Sequence, residues 1–281
     1  YLNYLMEKHI LKIKYKPYQI INQKSSNRIL LICDHASNLI PKKYKRLGLN
    51  TKEIKSHIGW DIGAASLAKG IASRLNSTLL LAGYSRLIVD CNRSLGHPEA
   101  FITKSENTFI PGNFNLSKAE KHNRAKLYCL PYRKKIKKNI DLRLKRKQIP
   151  VIISIHSFAL KYKNIKRPWH LSVLYRKDKR LTSLVLKKLK KNQSIKIGIN
   201  KPYDSEIYNI FTIPFFAESQ GFPYLYLEIR QDLLINKKKI TNWSQIISKL
   251  IKEIIINPKA NFISAPSKDI LKYFKKKNKI I

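Results

Sequence analysis

Apolar runs of strand length recur along this chain, and most of them stop at a cluster of polar side chains. Ile29-Leu30-Leu31-Ile32 shows no polar alternation, a pattern that suits a strand buried on both faces or a short buried helix segment. It stops at Asp34-His35-Ala36-Ser37-Asn38, and Pro41 blocks simple continuation. Thr78–Ala82 reads as a second buried strand. Leu87-Ile88-Val89 reads as a third, very short one, entered by Ser85-Arg86 and left by Asp90-Cys91-Asn92-Arg93. Val151-Ile152-Ile153-Ser154-Ile155 is the clearest core strand and terminates at His156-Ser157-Phe158. Leu171–Tyr175 and Tyr224–Leu227 follow, the latter ending at Glu228-Ile229-Arg230-Gln231-Asp232, and residues 15–21 make a peripheral strand.

Between these runs the period lengthens. From Asp61 through Ala64, Leu67, Ala68, Ile71, Ala72 and Leu75 the apolar positions fall three and four apart, which predicts an amphipathic helix packed through small residues. Asp61 stands where an N-cap or first-turn acid belongs. Phe101 to Ser117 reads as a long loop over the sheet. Ser117 followed by Glu120 is a capping box that opens a basic helix reaching Gln148, broken or kinked at Pro131. Leu181–Leu189 and Trp243–Ile256 are further helices, and residues 192–208 are turn-rich. Strands alternating with helices predict an α/β fold with helices on both faces of the sheet. With no repeat and no linker, the chain reads as one domain over residues 1–258 and a basic tail over 259–281.

Composition sets the outer bounds. A chain of 281 residues with 43% hydrophobic content can bury a full core. No apolar run is long enough to cross a bilayer, and Glu7, Lys8 and His9 interrupt the start of any signal peptide. Three cysteines, Cys33, Cys91 and Cys129, lack paired spacing, which argues against a disulfide framework and predicts a reducing, cytoplasmic setting. The net charge of +40 invites a nucleic-acid partner. The lysines, however, are spread through nearly every polar segment beside abundant Ile and Asn, the pattern of AT-rich codons. No specific nucleic acid is therefore expected, only weak salt-sensitive adhesion to RNA.

The polar ends carry the chemistry. His35, Asn92-Arg93, His156 and Glu228 each follow an apolar run. Each is bland alone, because strand-end histidines and turn arginines are commonly structural. Together they describe a zinc hydrolase: two imidazoles begin a catalytic site that takes three protein ligands and leaves a position open. A carboxylate outside that ligand set acts as general base, and an Arg fork grips a substrate carboxylate.

The motifs also resemble a known family, the N-formylglutamate amidohydrolases, over residues 18–234. The resemblance rests on Cys33-Asp34-His35-Ala36-Ser37-Asn38 with Pro41, His57-Ile58-Gly59-Trp60-Asp61-Ile62-Gly63-Ala64, and Ser85-Arg86 through Asp90-Cys91-Asn92-Arg93. It continues in Ile110-Pro111-Gly112-Asn113, Ile155-His156-Ser157-Phe158, Arg167-Pro168-Trp169-His170, Asn200-Lys201-Pro202-Tyr203 and Glu228 to Leu233.

The resemblance implies a three-layer α/β sandwich with a central mixed, mostly parallel sheet, akin in fold to the metallocarboxypeptidases. It implies one divalent metal, zinc, and hydrolysis of the formyl or other acyl amide of a small acidic amino acid such as N-formyl-L-glutamate, a step of histidine degradation. A related N-acyl hydrolase of different specificity, or a basic nucleic-acid-associated protein with a vestigial site, is the alternative. His35 and His156 are the implied ligands, Glu228 the base, and Asn92, Arg93 and Ser157 the substrate contacts, with Arg86 and Arg230 as further carboxylate contacts or as partners of Asp90 and Asp232. The wider group carries a Glu ligand where this chain has Asn38, an amide that competes poorly with a carboxylate for zinc. Asp61 is the candidate replacement ligand, with Asn38 the alternative, or Asp61 is an acid that orients His35. Phe216 stands where many family members carry a His, and His170 has packing, a hydrogen bond or substrate contact as its candidate roles.

Overall fold

The computed structural model describes residues 16–190, 194–203 and 210–266, together with residue 272. The start of the chain, parts of the turn-rich stretch 192–208 and the end of the basic tail lie outside the described residues. The central sheet has seven strands: β1 (Tyr18–Ile21), β2 (Ile29–Cys33), β3 (Thr78–Ala82), β4 (Val151–Phe158), β5 (Leu171–Leu174), β6 (Ile197–Ile199) and β7 (Tyr224–Arg230). Their spatial order is β1-β3-β2-β4-β7-β5-β6. The pairs β3–β2, β2–β4, β4–β7 and β5–β6 are parallel, whereas β1 joins β3 and β5 joins β7 antiparallel. The sheet is thus mixed and mostly parallel.

The all-apolar central strands follow from their position. β2, β3, β4 and β7 are buried along their whole length, because helices cover both faces. On one face pack α1 (Ala64–Leu75), α4 (Arg180–Leu189) and α5 (Lys237–Ile255), against Leu31, Ile153, Leu225 and Leu227. The other face carries α2 (Lys118–Arg124) and α3 (Leu130–Lys145) with the loops around Tyr84–Phe101, against Leu30, Ile32, Ile152 and Tyr226. The side-chain period of two sorts each strand between these layers.

Several local features differ from the sequence expectation. Leu87-Ile88-Val89 is not a strand. It is a buried turn segment, closed by Ile88 N–H donating to Ser85 O at 3.0 Å, whose three apolar side chains fill the core without a ladder partner. The basic helix does not break at Pro131. Residues Ala125–Cys129 form one turn of π-helix between α2 and α3, which places Pro131 in the first turn of α3, where its missing N–H matters little. Asp61 does not cap α1. That position falls to Gly63 at φ +81°, where a Cβ would come within 2.4 Å of Leu234 Cβ, so the chain turns sharply into the helix and leaves the Asp61 carboxylate elsewhere. α5 begins at Lys237, earlier than its first apolar residue, because the Asn236 side chain accepts from Lys239 N–H at 2.9 Å.

Past Pro258 the chain still touches the body. Ala260 is buried, its carbonyl accepts from Arg28 Nη1 at 2.8 Å, and Ser264 N–H donates to Gly221 O at 2.9 Å. No helix among the described residues is long and apolar enough to cross a membrane.

Candidate active site

His156 and Glu228 do not follow their strands; they lie within them. β4 and β7 each run three residues further than their apolar cores, so that Glu228 stands opposite His156 in register. Counting by twos places Ser154, His156 and Phe158 on one face of β4, and Tyr226, Glu228 and Arg230 on the same face of β7. His35 arrives from the turn just after β2. The backbone N–H of Asp61 donates to His35 O at 3.0 Å, which fixes these two residues side by side.

Three side chains then converge. Asp61 Oδ2 lies 3.4 Å from His35 Nδ1 and 2.7 Å from His156 Nδ1. The ligand atoms offered by His35, Asp61 and His156 all fall within 4.8 Å of one another, and all three residues are buried. The far nitrogen of each ring is held from behind. His35 Nε2 meets Asp90 Oδ1 at 2.8 Å, and His156 Nε2 meets Ser154 Oγ at 3.0 Å with Asp34 Oδ2 at 3.4 Å. The Tyr226 ring stacks on His156, centroids 4.7 Å apart at 7°. Such contacts behind an imidazole set its orientation and turn each Nδ1 toward Asp61.

The donor set fits a zinc ion. Two imidazoles and one carboxylate make the three-ligand set of catalytic zinc. The charges agree: Asp34, Asp61, Asp90 and Glu228 are all buried here, and Arg86 pairs with Asp61 and Asp90, which leaves negative charge that a divalent cation would offset. Glu228 Oε2 is buried with no hydrogen-bond partner among the described residues.

Burial and neighbouring charge tune each group. Burial disfavours protonation of His156, but the Asp34 and Asp61 carboxylates outweigh it and raise its pKa to about 10. Burial and Arg86 oppose protonation of His35, and Asp90 and Asp61 again prevail, so it too is raised. Asp61 and Asp90 are lowered despite burial, Asp61 by both histidines and Asp90 by His35 and Arg86. Glu228 is pushed up to about 7, first by burial, against the pull of His156.

The other predicted residues lie at different removes. Asn38 is half-buried and hydrogen-bonds to neither imidazole; the carboxylate that touches both is that of Asp61. Arg86 spans Asp61 Oδ1 at 3.4 Å and Asp90 Oδ2 at 3.0 Å. Arg93 pairs with Glu99 at 2.9 Å. Asn92 is committed within the fold: its Oδ1 accepts from Phe211 N–H at 3.1 Å and Thr212 N–H at 3.0 Å, and its Nδ2 donates to Tyr226 Oη at 3.1 Å. Ser157 Oγ donates to Ile62 O at 2.8 Å, and its N–H points to Asp61 Oδ2 at 3.4 Å. Arg230 forks onto Asp232 and donates through Nη1 to the carbonyls of Arg167, Pro168 and Trp169. Phe216 is buried edge-on to Phe211 and Phe215. His170 accepts from Lys196 N–H at 3.2 Å.

Sequence reasoning missed Asp34 and Asp90 as parts of the site. Asp34 Oδ1 accepts from Tyr132 Oη and Thr212 Oγ1, both at 3.0 Å, which ties α3 and the short helix Thr212–Phe216 to the site. Tyr226 was legible as a site residue by counting back two positions from Glu228.

The model of the family described as N-formylglutamate amidohydrolase matches residues 27–235. The chain belongs to the N-formylglutamate amidohydrolase family. Among solved structures it is similar to a gene product of Agrobacterium tumefaciens, with 30% identity and a TM-score of 0.82 over 85% of this chain and 95% of that one. It is also similar to N-formylglutamate amidohydrolase from Ralstonia eutropha, with 16% identity and a TM-score of 0.59 over 84% of this chain and 98% of that one, a likeness of fold. No curated protein matches the chain.

Proposed function

We propose that this amidohydrolase is zinc-dependent and releases formate from N-formyl-L-glutamate or a closely related N-acyl acidic amino acid. The observation that carries this reading is the convergence of His35 Nδ1, Asp61 Oδ2 and His156 Nδ1 beside the buried, unpartnered Glu228 Oε2.

His35, Asp61 and His156 would hold the ion. A zinc ion in that place supplies Lewis-acid chemistry, lowering the pKa of water and offsetting negative charge on the amide oxygen. The chain's own residues do the rest. Glu228 Oε2 accepts the proton of the attacking water and returns it to the amine nitrogen as the C–N bond breaks. A pKa near 7 suits both transfers, and a cation alongside draws that value down toward the base form. Asp90, Ser154 and Tyr226 keep the two rings from turning, so the reacting groups meet without reorganisation. Arg86, held between Asp61 and Asp90, keeps a positive charge beside the reacting groups.

The test is a substrate panel on the zinc-loaded protein. Formate release from N-formyl-L-glutamate, well above that from N-formyl-L-leucine, supports the reading. Turnover of neutral N-acyl substrates alone moves the specificity elsewhere, and no turnover of any N-acyl amino acid refutes it.

A further inference from the structure

Most of the cations around the site already have acids. Arg86 is shared between Asp61 and Asp90, Arg93 is paired with Glu99, and Arg230 with Asp232. Arg167 differs. It is only 8% exposed, yet its guanidinium has no ion pair and donates no hydrogen bond among the described residues. Its Cζ lies 4.8 Å from the ring centre of Tyr162 and 5.4 Å from that of Tyr203. Two aromatic faces beside a guanidinium satisfy its π surface and leave the N–H edge unspent.

The fold brings this fork to the reacting end of the sheet. Arg167 follows β4 by way of the two-stranded ribbon Lys161–Tyr162 and Ile165–Lys166, and its N–H donates to Leu160 O at 2.8 Å. The Arg230 guanidinium holds the carbonyls of residues 167 to 169 from below, at 3.1–3.2 Å. Arg230 lies two residues beyond Glu228 on the same face of β7. Tyr203 comes from the other side. Ser172, in register with Glu228 on β5, donates its hydroxyl to Lys201 O and so anchors the segment that carries Tyr203. Burial and then the charge of Glu228 push the Tyr203 phenol up, with Arg167 and Arg86 opposing, so Tyr203 shares one electrostatic neighbourhood with Arg167, Glu228, Asp61 and Arg86.

We infer that Arg167, backed by Tyr162 and Tyr203 and fixed by Arg230, is the residue that grips a carboxylate of the substrate and sets the preference for acidic N-acyl amino acids. This rests on the hydrolase reading above and adds to it the specificity-determining side chain. A guanidinium donates two parallel N–H bonds to a carboxylate, and a lysine at the same place offers only a point charge. N-formylglutamate presents two carboxylates, and amides of each separate them.

The experiment compares zinc-loaded wild type, Arg167→Ala and Arg167→Lys on N-formyl-L-glutamate, N-formyl-L-glutamine and the α-amide of N-formyl-L-glutamate. Zinc content and thermal unfolding check that each variant folds. For Arg167→Ala, KM for N-formyl-L-glutamate is expected to rise about a hundredfold with kcat little changed, as for contacts made equally in ground and transition states. The penalty disappears for the one amide that lacks the gripped carboxylate: for N-formylglutamine if it is the side-chain group, for the α-amide if it is the α-carboxylate. Arg167→Lys shows the same pattern with about a tenfold rise, and it carries the test alone if the alanine variant does not fold. A wild-type KM in both variants, or equal loss on all three substrates, overturns the inference and leaves the hydrolase reading standing. A wild-type enzyme that releases formate from none of the three removes that reading, and the inference falls with it.

Discussion

Glu228 and His156 face each other in register across the adjacent parallel strands β7 and β4. A candidate base and a candidate metal ligand are therefore held by a ladder buried along its whole length, and their separation does not depend on a loop. That arrangement predicts a clean separation of roles. Glu228→Gln keeps nearly the same volume and is expected to lower kcat by about a thousandfold while the zinc content stays at wild-type level. Unaltered turnover would remove Glu228 as the base, and loss of zinc would make it a ligand.

Asp61 and Asp90 both touch His35, but from opposite nitrogens. Removing a ligand should cost more than removing the group that orients one. Asp61→Ala is expected to weaken zinc binding by more than about a hundredfold, and Asp90→Asn by about ten- to a hundredfold. Competition with a chromophoric chelator measures both. The reverse order would place the cation on the Asp90 side of the ring.

Asn92 braces the fold. Its amide joins the N–H groups of Phe211 and Thr212 to the Tyr226 hydroxyl under the His156 ring. Asn92→Ala leaves buried donors unpaired and is expected to destabilise the protein by about 2 kcal/mol. Equilibrium unfolding in denaturant reads this directly. Full stability combined with a raised KM would instead make the side chain a substrate contact.

The Arg230–Asp232 pair gives a pH dependence away from the metal group. Asp232 lies below its ordinary pKa: burial raises it, but the hydrogen bonds and charge of Arg230 lower it more. A depressed folded-state carboxylate stabilises fully above its unfolded pKa, about 3.9, and the contribution is lost as pH falls through the lower folded value. Asp232 is partly exposed, so the pair is worth about 0.5–1 kcal/mol. Wild type should therefore melt above Asp232→Asn at pH 7, and the gap should begin to close as pH falls through about 3.9 and vanish once pH lies below the folded value. A gap that does not narrow as pH falls below about 3.9 would rule out the ionised pair as its source.

Much of this was legible in the sequence, for reasons that can be named. The buried strands announced themselves, because a strand covered on both faces must be apolar throughout, as Ile29–Ile32 and Val151–Ile155 are. The same rule misled at Leu87-Ile88-Val89, where three buried side chains fill a turn, since burial alone does not require a ladder. Strand ends lie further on than the apolar runs suggest: His156 and Glu228 sit inside their strands, where His156 is answered by Ser154, Asp34 and Asp61. Asp61 had two readings, helix cap or site acid, and the left-handed Gly63 separates them by taking the cap position. Asp34 and Asp90 were hidden because an aspartate beside a strand looks the same whether it caps a turn or holds an imidazole. Only the fold shows that Asp90 reaches His35, 55 positions away in sequence.

The central claim is that His35, Asp61 and His156 bind one zinc ion on which deformylation depends. Stepwise addition of zinc to chelator-stripped protein, with formate release from N-formyl-L-glutamate followed at each step, tests it most directly. Activity is predicted to rise from zero and to level off at one equivalent, with no rise in the His35→Ala, His156→Ala double variant. Formate release that persists after stripping, or that rises equally in the double variant, would contradict the account.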